Sequence, residues 1–241
     1  MILKVKLADK VLELNCINTE LQNFFKSYLV PEDCRTDICL SWTEEEILAE
    51  QEESSETGFS NAYLETLAAL RKIAEALPMH NRLLIHGASI SYLDKGYLFT
   101  APSGTGKSTH IRLWHKYLGD NVNIINGDKP FISLDNSTPF IYGNPWAGKE
   151  HWHRNCSYPL AGICFVTRGA MNRIRRLSPS DCLTLVLNQV FLPADSDSAS
   201  KTLELIDILI RRTPIYLLEC DMSEDAVRCS FEALTGLPYP I

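Results

Sequence analysis

Ala101-Pro102-Ser103-Gly104-Thr105-Gly106-Lys107-Ser108-Thr109 follows the apolar run Tyr97-Leu98-Phe99-Thr100 and precedes a stretch of helical character that begins near His110. A glycine-rich turn between strand and helix, closed by a lysine and two hydroxyl residues, has the Walker A form. Gly104 and Gly106 allow the backbone to turn so that successive N–H groups meet a polyphosphate, and the following helix adds its positive end at the same point. Ser103 through Thr109 form the expected nucleotide cradle. Lys107 is expected to reach the β- and γ-phosphates and Ser108 to ligate magnesium. Ala101, where the motif usually begins with glycine, is a small departure outside the part of the loop nearest the phosphates.

The strand feeding this loop has an unusual neighbour. Leu83–Ile90 and Tyr97–Thr100 flank Tyr92-Leu93-Asp94-Lys95-Gly96, whose Asp-Lys-Gly tip predicts a hairpin, so the two strands run antiparallel. Neighbouring strands in ordinary P-loop proteins are joined by helical crossovers and run parallel. After the loop, Val122–Asp128 predicts a strand ending in an acid, and Asp128 becomes the natural partner of Ser108 at a metal ion. Phe131–Leu134 and Phe140–Tyr142 predict a second hairpin. Ala161–Val166 and Ile215–Cys220 predict strands, while Pro179–Phe191, Leu203–Arg212 and Ser223–Leu234 predict helices, two of them capped by Ser178 and Ser223.

Upstream, Ile2–Leu7 and Val11–Leu14 alternate about Ala8-Asp9-Lys10 and predict a hairpin. A short helix at Leu21–Tyr28, a strand at Ile38–Ser41, an acidic solvated helix at Glu44–Glu53 and a break at Ser54–Gly58 follow. Leu64, Leu67, Leu70, Ile73 and Leu77 recur at helical spacing over Tyr63–Leu77. We place a subdomain boundary at Pro78, giving a small α+β unit over residues 1–78 and a loop-bearing α/β unit over residues 79–241. The 241 residues, 45% hydrophobic, suffice for a real core.

A net charge of −7 disfavours a nucleic-acid or membrane-surface footprint. No secretory leader and no apolar run near the roughly 18 residues of a membrane span is recognisable, so a cytoplasmic location is expected. The eight cysteines lack a Cys-x-x-Cys pair and read as reduced core thiols. His151, His153 and Cys156 offer three zinc-type donors in a short loop but no fourth at recognisable spacing. His110 and His115 lie on different faces of one helix and read as ordinary helix residues.

His86-Gly87, the Asp94-Lys95-Gly96 hairpin, Ala101–Thr109, the strand ending in Asp128 and Asn144-Pro145-Trp146-Ala147-Gly148-Lys149-Glu150 together resemble the catalytic domain of the HPr kinase/phosphorylase family. They also resemble its small phosphoenolpyruvate carboxykinase-like relatives, over roughly residues 80 to 220. The resemblance implies an α/β P-loop kinase fold with a mixed sheet flanked by helices. It also implies ATP and Mg2+ as cofactors and phosphorylation of a serine-type hydroxyl on a protein, peptide or small molecule. His86 matches the family histidine near the catalytic acid, where it can tune that acid's proton affinity.

One departure bears on mechanism. The family's kinases carry two adjacent aspartates at this strand end, and this chain has Gly127-Asp128. Either Asp128 holds magnesium and His86 or Glu150 takes the proton, or Asp128 takes the proton and the metal rests on Ser108, phosphates and water. A third outcome is nucleotide binding without efficient transfer, as in a regulatory module. Arg173, with Arg175 and Arg176 beside it, is a candidate for the γ-phosphate. Lys149 and Glu150 are candidates for closing over nucleotide or acceptor. The chain shows no recognisable regulatory domain of that family and no Pro-Gly-Arg-Asn-type C-terminal segment, so HPr is not the expected acceptor. Carboxykinase activity on oxaloacetate is disfavoured, since the additional metal-binding lysine and histidine of those larger enzymes are not evident.

Overall fold

The computed structural model describes residues 1–53 and 58–240. In chain order its elements are β1 (Ile2–Leu7), β2 (Lys10–Asn15), α1 (Leu21–Phe24), β3 (Ile38–Ser41), α2 (Glu44–Glu53), α3 (Asn61–Ala76), β4 (Arg82–Leu84), β5 (Ala88–Tyr92), β6 (Lys95–Thr100), α4 (Lys107–Leu118), β7 (Val122–Asn126), β8 (Phe131–Ser133), β9 (Phe140–Tyr142), β10 (Ser157–Arg168), β11 (Arg173–Arg176), α5 (Pro179–Leu187), α6 (Ser196–Arg212), β12 (Ile215–Cys220) and α7 (Glu224–Thr235). Of the predicted break at Ser54–Gly58, residues 54–57 lie outside the described residues.

A mixed nine-stranded sheet carries the architecture, in the order β4-β8-β9-β10-β6-β5-β7, with β12 added on β10 and β11 on β12. Strands β6, β10 and β12 are mutually parallel, and β5 runs antiparallel to both β6 and β7. Four parallel strands therefore end at one edge, and β5, reversed between two of them, begins there. Tyr97 and Phe99 of β6 pack toward α4 and α7, while Leu98 between them packs toward α5 and α6. Cys164 and Ile163 of β10 divide in the same way. Burial on both faces is why these strands read as unbroken apolar runs.

The β5–β6 hairpin forms as expected, but Leu93 and Asp94 (φ 47° and 57°) make its turn and Lys95 already belongs to the strand. Leu83–Ile90 is not one strand. It divides at Ile85–Gly87 because β4 pairs with β8 and β5 with β6 and β7. Helix α4 starts at Lys107, three residues before the expected position, with Gly106 as its N-cap at φ 124°. That φ is rarely open to a residue with a side chain.

The three-stranded sheet β1-β2-β3 and helices α1 and α3 enclose a core that also takes in Leu84, Phe131, Tyr142 and Trp146 from the large-sheet region. The acidic helix α2 is not wholly solvated: Glu50 is buried and accepts from Arg71 Nε at 2.6 Å. All eight cysteines are free thiols, but Cys39 is exposed rather than in the core. Among the described residues no helix is long and apolar enough to cross a membrane.

Candidate active site

The edge where β6, β7, β10 and β12 end gathers most of the sequence candidates, as open α/β sheets commonly do at the carboxyl ends of their strands. A cleft of about 420 Å³ is lined by Ser103, Gly104, Gly106, Lys107, Ser108 and Thr109 from the loop and α4, by His86, by Gly127 and Asp128, and by Ala147–Glu150. His86 reaches it because it stands just before β5, the strand that begins where its neighbours end. Thr105 lines a second cavity on the other side of the loop.

Lys107 is buried and donates from Nζ to the carbonyl of Ala101 at 2.9 Å. Burial lowers its pKa and the charge of Asp128 partly offsets this. No side chain caps the start of α4, so its first N–H groups form an anion-receptive end.

Asp128 stands two residues beyond β7 in a turn held by Asn126, whose Oδ1 accepts from the backbone N–H of Asp128 at 2.8 Å and of Lys129 at 2.7 Å. Asn126 is fully buried and donates from Nδ2 to Asn144 O and Trp146 O, tying the turn to the segment that leads into Ala147–Glu150. Asn144 Oδ1 in turn accepts from the Trp146 N–H at 3.0 Å. Asp128 Oδ1 lies 3.5 Å from His86 Nε2, and its Oδ2 lies 3.6 Å from Lys129 Nζ. Burial alone would raise the Asp128 pKa. The His86 hydrogen bond and the charges of Lys129, His86 and Lys107 outweigh it and leave the carboxyl below its ordinary value.

His86 is fixed from the far side by Gln189, whose Oε1 is 3.2 Å from Nδ1 and whose carbonyl accepts the His86 N–H at 2.7 Å. Arg168, at the end of β10, donates from Nη2 to Gly104 O at 2.6 Å and from Nε to Thr105 O at 3.2 Å, pinning the loop from above. Gln189, Arg168 and Asn126 carry no motif, and Asn144 enters the sequence reading only as part of the Asn144–Glu150 segment. An asparagine ending an apolar strand, as Asn126 does, was the one local signal.

Glu150 pairs with Arg112 at 2.5 Å, and the same guanidinium sits 4.8 Å over the Trp152 ring, so the exposed end of the cleft loop is tied to α4. Lys149 lines the cleft. Arg173 does not: it is exposed on β11, paired with Glu219 at 3.1 Å. Its neighbours Arg175 and Arg176 lie on the same edge strand, antiparallel to β12.

Among the described residues no three or more His, Cys, Asp or Glu side chains group to hold a metal ion. His153 instead bonds the Tyr28 hydroxyl through Nδ1 at 3.0 Å. In the cleft, Ser108 and Asp128 offer a hydroxyl and a carboxylate, hard oxygen donors of the kind magnesium takes together with substrate phosphates and water.

Among solved structures the chain is similar to the Hpr(Ser) kinase/phosphatase from Coxiella burnetii, at 12% identity over 64% of this chain and 99% of that one, with a TM-score of 0.37. No protein-family model and no curated protein matches the chain.

Proposed function

We propose that this chain is an Mg2+- and ATP-dependent phosphotransferase of the P-loop, HPr kinase-like type. It would act on a serine-type hydroxyl of a protein, peptide or small molecule. The observation that carries this reading is the convergence of Lys107, Ser108, His86 and Asp128 on one cleft floored by the glycine-rich loop.

Phosphoryl transfer asks for positioning and charge more than covalent chemistry. The loop N–H groups and Lys107 hold the β- and γ-phosphates. Magnesium, resting on Ser108, phosphate oxygens and water, would supply further neutralisation of phosphate charge. The acceptor oxygen forms its bond to the γ-phosphorus as the bond to the β–γ bridging oxygen breaks, and ADP leaves with that electron pair. The hydroxyl proton goes to Asp128. His86, Lys129 and Lys107 keep Asp128 ionised and so able to accept a proton, and both its oxygens already face nitrogen partners, which disfavours it as sole metal ligand. His86 holds it in place and shares the charge change.

A second reading, nucleotide binding without transfer, is favoured by Gly127. A Cβ there would lie 2.9 Å from the carbonyl oxygen of Ala147, so the position is closed to a second aspartate unless the backbone shifts.

The deciding experiment incubates the protein with Mg2+ and γ-phosphate-labelled ATP, alone and with free serine, HPr and fractionated extract, with Lys107→Ala as the blank. Label passed to an acceptor and lost in the variant supports the kinase. ATP binding without transfer to any acceptor supports the regulatory module.

A further inference from the structure

The edges of the two sheets are managed unequally. Segments of chain lie along three of them: the Val30 N–H donates to Lys4 O on β1, the Phe191 N–H to Leu84 O on β4 and the Arg154 N–H to Ile125 O on β7, each at 3.0 Å. A fourth, β11, carries Arg173, Arg175 and Arg176, and such charge discourages a further strand. Strand β3 has neither protection. It ends the order β1-β2-β3 and pairs with β2 alone, and Ile38-Cys39-Leu40-Ser41 holds no charge. Among the described residues no other segment bonds its outer side. Alternate residues of an edge strand turn their N–H and C=O groups away from the paired neighbour, so this side offers unmade hydrogen bonds to an added strand.

The surroundings of that edge are acidic. Residues 1–78 hold 15 acidic and 7 basic side chains against 15 and 16 in residues 79–241, so the whole negative excess of the chain lies in the unit that contains β3. Between Ser27 and Leu70 the one basic residue is Arg35. Asp37 directly precedes the strand, Glu44 and Glu45 open α2 just beyond it, and all three are exposed. Glu46 of the same turn is paired with Lys72 at 2.5 Å, whereas Glu44 and Glu45 have no basic partner among the described residues. A second copy pairing through β3 would set these carboxylates against their own kind. A basic segment meets opposite charge at both ends of the strand.

We propose that β3 receives an extended basic segment of the acceptor, added as a fourth strand, so that the phosphorylated serine belongs to a protein or peptide. Naming the occupant as the acceptor rests on the phosphotransferase reading. Backbone bonds supply affinity and the flanking carboxylates select the partner. Among the described residues none of the first 78 lines the Lys107–Asp128 cleft, so the docked segment leaves the cleft open. It also raises the local concentration of a serine joined to it.

Fluorescence anisotropy with three labelled peptides tests the edge: alternating lysine and valine, alternating glutamate and valine, and a fully N-methylated copy of the first, which keeps its charge and has no N–H. The first is expected to bind about tenfold or more tighter than the other two and to slow amide exchange at residues 38–41. The double variant Glu44→Lys/Glu45→Lys should weaken it roughly threefold to tenfold, with ATP affinity unchanged as the check on folding. A serine peptide joined to the lysine–valine segment by a flexible linker should show a KM about tenfold below the unjoined serine peptide, and the double variant should remove most of that gain. Equal binding of the three peptides, or basic binding that the double variant leaves intact, overturns the docking edge. A concentration-dependent dimer protected at residues 38–41 assigns the edge to a second copy and overturns it too. If the basic peptide binds at β3 but joining it to serine gives no gain, the occupant is not the acceptor. If neither serine peptide is labelled while ATP binds, the phosphotransferase reading fails and takes the acceptor assignment with it, whereas peptide binding at β3 stands.

Discussion

His86 Nε2 stands 3.5 Å from Asp128 Oδ1, with Gln189 3.2 Å behind the other ring nitrogen. In the proposed reaction, this pair is what lets the single aspartate Asp128 serve alone. Burial would raise the Asp128 pKa, and His86 is first among the groups that bring it down. A carboxyl with a lowered folded pKa contributes stability that is complete above its ordinary value and is lost as pH falls through the lowered one. Asp128 is therefore ionised throughout the neutral range.

His86→Ala should move the acidic limb of the kcat/KM profile to higher pH and reduce transfer by roughly tenfold to a hundredfold. Gln189→Leu should shift the limb in the same direction by less, because it frees the ring without removing it. Asp128→Asn should lose at least about a hundredfold in transfer at every pH. A limb that stays in place in His86→Ala would contradict the coupling, whatever the change in rate.

Lys107 illustrates the opposite sign. Burial lowers its pKa, so the unfolded chain holds this proton more tightly than the folded chain does, and the charge is unfavourable to folding at neutral pH. In the absence of nucleotide, Lys107→Met should melt no lower than wild type, while its affinity for ATP or tripolyphosphate falls by about tenfold or more. Calorimetry and thermal melting on the same sample check both halves, and a Tm several degrees lower would show the lysine to be structural.

How far the sequence alone reaches depends on whether a feature is local. The loop from Ala101 to Thr109, its flanking strand and helix, and the antiparallel β5–β6 hairpin are legible because glycine, lysine and turn residues act within a few positions. The division of Leu83–Ile90 is not, since the lone Gly87 within an apolar run does not say where strands part, and its two halves separate because they meet different strands. Strand β11 is hidden for a related reason: Arg173-Ile174-Arg175-Arg176 has no alternating apolar pattern, and its strand character comes from pairing with β12. Gln189 meets His86, and Arg168 the loop, from positions about 60 to 100 residues away in the chain, a distance over which spacing carries no signal.

Gly127 is set by space rather than by a turn. Gly127→Ala places a methyl 2.9 Å from a backbone oxygen that cannot swing aside, and is expected to cost about 1–3 kcal/mol, a fall in Tm of roughly 2–10 °C. Gly127→Asp, which sets two aspartates side by side, should destabilise at least as much and leave transfer no faster. A stable Gly127→Asp variant with raised turnover would show that the loop at Ala147 yields and that one acid is a deficit.

Trp146 links the first 78 residues to the cleft. Its ring packs edge-on against Phe24, Phe25 and Phe131 at 5.4, 5.5 and 6.3 Å, and Nε1 donates to the Thr66 carbonyl at 2.8 Å. The next residues in the chain, Ala147–Glu150, line the cleft, and the Trp146 carbonyl accepts from the same Asn126 that shapes the Asp128 turn. The small sheet and its helices thus act as a clamp on the segment that borders the acid. Trp146→Ala should cost about 3–5 kcal/mol. Beyond that loss it should raise amide exchange selectively at residues 146–150 and 126–129, and lower kcat more than a Trp146→Phe variant that refills most of the volume without the N–H. If exchange rises evenly across the chain, Trp146 is a stability residue alone; if it rises at those two segments, the N-terminal unit positions the active site.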